Sequence, residues 1–297
     1  MSAPPGAPPD AAGAAPPADL DAYAATLHAW LAHVAGHDPA RRRFGARRHD
    51  YRLGPPLGEA RVAALEDALA LRLPAPYRAF VARVGDGGAG PYHGLFPLDR
   101  EVQRAVAAGS FPLTAGVGGT GPAELAGRAL YRGVVGLGHL GCGLVAFLVV
   151  RGPAAGQVWL DARGTADGVV PLHPDFRAYY HAWVEAVAHD RLPASPITAG
   201  RCALPGALSA YLAAFEERAG LPAGALDGEA LRAALDAIGD GGIATTTSGD
   251  DPFFAPGEPI DLCPACARLV ENLVPRGLRR DQLAPGVAPA LMREAWP

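Results

Sequence analysis

Lysine is absent: every one of the 26 basic residues among the 297 is arginine. That bias fits a GC-rich bacterial genome, and it rules out a Walker-type phosphate loop, whose lysine reaches the nucleotide. Aromatic residues are scarce at 7% and charged residues at 19%, while alanine, glycine and proline fill the composition. This is the profile of a globular chain with flexible ends. Strong charge of either sign is lacking too. A formal net charge of -4 gives no broad positive field, so a general attraction to nucleic acid or anionic lipid is not expected. The longest strongly apolar run, Leu144 to Val150, falls far short of the roughly 20 residues of a membrane helix. The N-terminus has no basic start, and Pro4, Pro5, Pro8, Pro9, Pro16 and Pro17 interrupt any apolar signal core, so the expected location is the cytoplasm. Cysteine is sparse as well. Cys142 and Cys202 stand apart and only Cys263 and Cys266 are close, a pattern that suits reduced thiols or a metal site better than a secreted disulfide framework.

Residues 1–18 carry almost no large side chains and are expected to be a disordered Ala/Pro-rich tail. From Asp19, the spacing of Leu20, Tyr23, Leu27, Trp30, Leu31 and Val34 predicts an amphipathic helix. A basic connector follows, with Arg41, Arg42, Arg43, Arg47 and Arg48 around Phe44 and Gly45. It reads as a solvated link, with contact to an acidic partner or a phosphate backbone as the sharper alternative. Leu57 to Leu73 predicts a helix with Val62, Leu65 and Leu69 inward and Glu59, Arg61, Glu66 and Arg72 elsewhere. Pro74 ends it, and Pro76 opens a second helix with Tyr77, Phe80, Val81 and Val84 buried. Gly85 to Gly88 permits the positive φ of a helix stop.

Gly94 to Leu98 reads as a short buried strand, followed by a helix from Asp99 to about Ala108 and a loop from Gly109 to Arg128. Strands are expected at Tyr131 to Leu137, Leu144 to Val150 and Gln157 to Asp161, with a short edge strand at Val169 to Leu172. Asp175 begins a helix ending near His189. Beyond Pro193, helices are expected from about Pro205 to Ala219, from Asp227 to Ile238 and from Pro264.

Catalytic signatures find little support. Gly136-Leu137-Gly138-His139-Leu140-Gly141 matches the dinucleotide fingerprint in letters, but a β-like run follows where a helix should start, so the glycines read as a hairpin turn. No His-Glu-x-x-His or Gly-x-Ser-x-Gly motif occurs. His33 and His37 share a helix spacing but lack a third ligand, and are expected to face solvent. The Cys263-Pro264-Ala265-Cys266 pair stands at a helix start, where thiolate is favoured. It is either unligated, half of a zinc site completed by Cys202 or a distant histidine, or a redox pair.

Three segments, Arg72-Leu73-Pro74-Ala75-Pro76-Tyr77-Arg78-Ala79-Phe80, Val84 to Pro91 and Gly94-Leu95-Phe96-Pro97-Leu98, resemble the SUKH (Smi/Knr) superfamily in order and spacing. Gly141-Cys142-Gly143, the apolar strand after it, Gln157-Val158-Trp159 and Phe176 to Trp183 extend the resemblance over residues 51–192. It implies an α+β domain with a curved mixed sheet and helices on one side; residues 193–297, beyond the resemblance, read from their own pattern as a mainly helical region. It also implies a non-enzymatic protein-binding role, either as an immunity protein neutralising a polymorphic toxin or as a regulatory adaptor. Tyr77, Phe80, Leu95, Phe96, Trp159 and Trp183 are read as core. Asp86, Tyr92 and His93 are candidates for an exposed partner surface on the glycine-rich loop. The expected partner is a cognate toxin or other protein, with no membrane or nucleic acid; no cofactor is expected beyond a possible zinc at Cys263 and Cys266.

Overall fold

A computed structural model describes residues 19–98, 107–119, 121, 125–163, 165, 167–189, 203–237, 253, 262, 264–273 and 276. The expected N-terminal tail, most of the helix from Asp99 and, apart from Phe253, the Gly/Thr/Pro stretch around 240–259 lie outside these residues. So do Cys202 and Cys263.

The fold is α+β. Helix α1 (Leu20–His37) starts where Asp19 accepts hydrogen bonds from the Asp21 and Ala22 amides at 3.1 and 2.9 Å. Its predicted stripe from Tyr23 to Val34 is buried. A one-turn helix α2 (Ala46–His49) lies within the basic connector, and α3 (Glu59–Ala68) and α4 (Ala75–Arg83) form the expected pair on either side of Pro74. Strands β1 (Val134–Gly141), β2 (Leu144–Val149), β3 (Val158–Ala162) and β4 (Gly168–His173) pair in sequence order. Helix α5 (Phe176–Ala188) is capped by Asp175, which accepts from the Ala178 amide at 2.8 Å. Three further helices are α6 (Ala203–Ala219), α7 (Gly228–Asp236) and α8 (Pro264–Leu273).

The sheet is antiparallel throughout, and this corrects the expectation of a mixed sheet. Turns as short as the one at Cys142–Gly143 can join only antiparallel neighbours; a parallel pair needs a long crossover. The glycines of residues 136–141 lie inside β1, and the turn begins only at Cys142. Strand β1 stays paired through this glycine stretch with register shifts between Gly136 and Gly138 and between His139 and Gly141. The Gly94–Leu98 segment is not a regular strand. Leu95 alone bridges to Gly88 and Gly138, and Pro97 has no amide with which to extend the ladder.

Both faces of the sheet are covered. Leu144, Ala146 and Leu148 of β2 and Val158 and Leu160 of β3 face the cluster that holds the buried residues of α1, α3, α4 and α5. Val145, Phe147 and Val149 of β2 and Trp159 of β3 face a second cluster built from Phe111, Leu130, Tyr131 and Phe253. The core reading of Tyr77, Phe80, Trp159 and Trp183 agrees with their burial, whereas Phe96 is only partly buried. Leu208, Leu235, Leu262, Cys266 and Val270 belong to the first cluster, so the apolar interior runs without a break into the C-terminal helices.

One residue expected on the polar side of α3 is buried. The Glu66 side chain is 1% exposed because its carboxylate accepts from the Leu73 amide at 2.8 Å, from Arg78 at 3.2 Å and from Arg72 at 3.4 Å. It thereby fixes the turn between α3 and α4. Glu66→Ala strands a buried amide and half of an ion pair, and is predicted to cost about 2–4 kcal/mol. Asp67→Ala, which removes an exposed ion pair with Arg72, should change stability by less than about 0.5 kcal/mol. Urea unfolding of the two variants checks the contrast.

Candidate functional site

The segments that carry the motif residues meet at one corner of the fold. Gly88 bridges to Leu53 and to Leu95, and Leu95 bridges on to Gly138, so the glycine-rich loop ties the start of the domain to β1. The Phe96 amide donates to Leu137 at 2.7 Å and the His93 amide to His139 at 3.3 Å. The loop is therefore held alongside residues 137–139 of β1.

The connector is a turn closed by hydrogen bonds to the buried Asp38. Asp38, 6% exposed, accepts from the Arg42 and Arg43 amides at 2.7 and 3.1 Å and from the Tyr51 hydroxyl at 2.7 Å. The Arg41 guanidinium donates to Asp50 and to the carbonyls of Ala35 and Asp38. Its hydrogen bond is the main cause holding the Asp50 carboxyl below the usual range. Burial, and then the bond to Asp38, push the Tyr51 hydroxyl upward. The Phe44 ring packs edge-on against Tyr92 at 6.3 Å and His93 at 4.9 Å, docking the turn on the glycine-rich loop. Arg42 and Arg48 remain exposed.

The three residues expected on a partner surface are placed differently. Tyr92 is 6% and His93 8% exposed, and Asp86 is half-buried with its carboxylate accepting from the Leu98 amide at 2.7 Å. Tyr92 and His93 are thus interior side chains, because the connector on one side and the Leu262 segment on the other enclose them. The His93 ring donates from Nε2 to the Leu262 carbonyl at 3.2 Å, since a carbonyl can only accept. The same ring stacks on His139 at 5.4 Å.

More histidines are buried behind this corner. His49 accepts from the Tyr51 amide at 3.1 Å and meets Trp183 edge-on at 5.6 Å. Burial, then the neighbouring His93, lower its pKa to about 4. His181 is hydrogen-bonded to the Tyr23 hydroxyl at 2.9 Å, and burial, then the Arg177 charge, lower its pKa to about 4. The same burial raises Tyr23 to about 12. His33 is half-buried and His37 exposed, with their rings 4.2 Å apart.

Of the proposed metal pair, Cys266 is fully buried in the main cluster near the start of α8, and Cys263 lies outside the described residues. Among the described residues no group of three or more His, Cys, Asp or Glu side chains is arranged to hold a metal ion. No described helix is long and apolar enough to cross a membrane.

The sequence reading overlooked two features at this corner. His139 was counted only as a member of a glycine turn and Cys142 as an isolated thiol, although they are three residues apart. Phe253 fills the space over Gly136, where a Cβ would lie 2.3 Å from its ring; the unexplained glycine was the available signal.

The buried histidines make stability depend on pH. Their folded pKa values near 4 lie below the unfolded value of 6.5, so the unfolded chain binds more protons and stability falls as pH drops from about 6.5 toward about 4. Each histidine is predicted to contribute a loss of about 2 kcal/mol between about pH 7 and about pH 5. Urea unfolding of His49→Gln at both pH values should show that much less dependence than the parent chain. No protein-family model, curated protein or solved structure matches the chain.

Proposed function

We propose that this chain is a non-enzymatic, cytoplasmic protein-binding protein, an immunity protein that neutralises a polymorphic toxin by direct binding. The observation that supports the reading is the construction of the motif corner. The segments that carry the SUKH resemblance interlock through Gly88, Leu95 and Gly138, and the basic turn, closed on itself by Asp38, is docked on them by Phe44. A loop already held rigid loses little entropy on binding, which suits tight recognition of a shaped surface.

With Tyr92 and His93 enclosed, recognition falls to side chains that the turn presents outward. Arg42 and Arg48 are exposed on it, and guanidinium groups pair bidentately with carboxylates. An acidic patch on the toxin is the complementary surface. Occlusion of the toxin's active site or substrate path would follow from the bulk of the bound domain, with no reactive group needed from this chain.

Co-expression should rescue cells from the toxin encoded beside this gene, with a complex measurable by calorimetry. The charge reversal Arg42→Glu should weaken that complex by roughly tenfold or more while leaving the thermal midpoint unchanged. Absence of both rescue and binding, or capture of several endogenous partners in place of one toxin, would overturn the immunity reading.

A further inference from the structure

We propose that His49 is an acid-sensitive latch: neutral, it holds the basic connector closed, and protonated, it releases the turn while the rest of the domain stays folded. His49 ends α2, and its Nδ1 accepts from the Tyr51 amide at 3.1 Å. A ring nitrogen that accepts an amide proton carries none of its own, so the neutral imidazole bears its proton on Nε2, which is buried and has no hydrogen-bond partner among the described residues. Protonation adds a hydrogen at Nδ1, the position facing the Tyr51 N–H. The bond is then lost, and two donors face each other at a residue that is 7% exposed.

The bond closes a strained piece of backbone. Asp50 and Tyr51 follow with φ of +51° and +56°, two successive non-glycine residues in the left-handed region, where a Cβ crowds the next carbonyl. Tyr51 passes the constraint on: its hydroxyl donates to Asp38 at 2.7 Å, and Asp38 accepts from the Arg42 and Arg43 amides that close the connector. Freeing the Tyr51 amide therefore loosens the residue that braces the turn's buried carboxylate. Strands β1 to β3 and the helices over them pack through apolar clusters that do not include His49, which confines the opening to the connector.

The groups around the ring set the pH range. Arg41 and Asp50 of the connector and His93 of the glycine-rich loop act on it by charge, while Tyr51 and, from α5, Trp183 meet it edge-on at 5.4 and 5.6 Å. His93 and Arg41 oppose a positive ring, and Asp50, which favours one, is already paired with Arg41 and Arg52. Burial, then His93, lower the closed-state pKa to about 4 from 6.5. An opened turn returns the ring to water, so the open form binds the proton more tightly and its population grows as pH falls from about 6.5 toward about 4. Between about pH 7 and about pH 5 the growth is roughly twentyfold. On the immunity reading, on which this last consequence alone rests, opening unfixes the turn that presents Arg42 to its partner.

Amide hydrogen exchange of the full chain, followed residue by residue by NMR and corrected for its intrinsic pH dependence, tests the latch. Protection of the Tyr51 amide should fall roughly twentyfold from about pH 7 to about pH 5, while the β2 amides stay better protected than Tyr51 by at least about tenfold. His49→Asn places an oxygen acceptor where Nδ1 stands and does not titrate in this range, so it should reduce the change to less than about threefold. Equal protection of Tyr51 and β2 at about pH 5 would mean that the whole domain opens and would overturn the latch, as would an undiminished pH dependence in His49→Asn. The comparison within the parent chain stands even where the variant fails to fold. None of these readouts involves a toxin, so failure of the latch and failure of the immunity reading are told apart.

Discussion

The constraint from which most of this structure follows is that the first three strands of its sheet are buried on both faces. Antiparallel sheets commonly leave one face to water, and their strands then alternate apolar and polar residues. Here every residue of β1, β2 and β3 is buried. Helices α1, α3, α4 and α5 cover one face, which fixes where their apolar stripes point. The other face has no helix of comparable length over it among the described residues. It is covered by side chains from the irregular stretch around Phe111 and Leu130, by Tyr131 and by Phe253.

That arrangement explains why the C-terminal region is not an appendage. Phe253 lies over Gly136 and meets Tyr131 edge-on at 5.2 Å and Phe96 at 5.7 Å, so a residue far along the chain closes the second core. Leu262 and Cys266 enter the first core. The region thus enters the cores on both sides of the sheet, and the His93–Leu262 bond attaches it to the glycine-rich loop beside β1.

Elements whose information is local were legible in the sequence. Helix α1, with Asp19 as its cap, and α5, with Asp175, follow from periodicity and one capping side chain each. Strands β2 and β3 follow from short apolar runs bounded by turns. What was not legible depends on distant partners. Glu66 looks like any outward charge on α3 until the turn at Leu73 supplies an amide for it to hold. Gly136 and Gly138 look like a turn because glycine usually marks one, yet they stay in β1, where side chains would collide with Phe253 and with the Gly94 carbonyl. Tyr92 and His93 sit on a loop, which suggested exposure, and only the fold shows Phe44 and Leu262 closing over them.

The central claim is that the sheet's second face is completed by the C-terminal region, and Phe253→Ala tests it most directly. The side chain is 4% exposed and packed against rings, so its removal is expected to lower the unfolding free energy by about 3–5 kcal/mol, read by urea denaturation of the full chain. A change of less than about 0.5 kcal/mol, the range of a surface substitution, would mean that Phe111, Leu130 and Tyr131 cover the face unaided and would contradict the account.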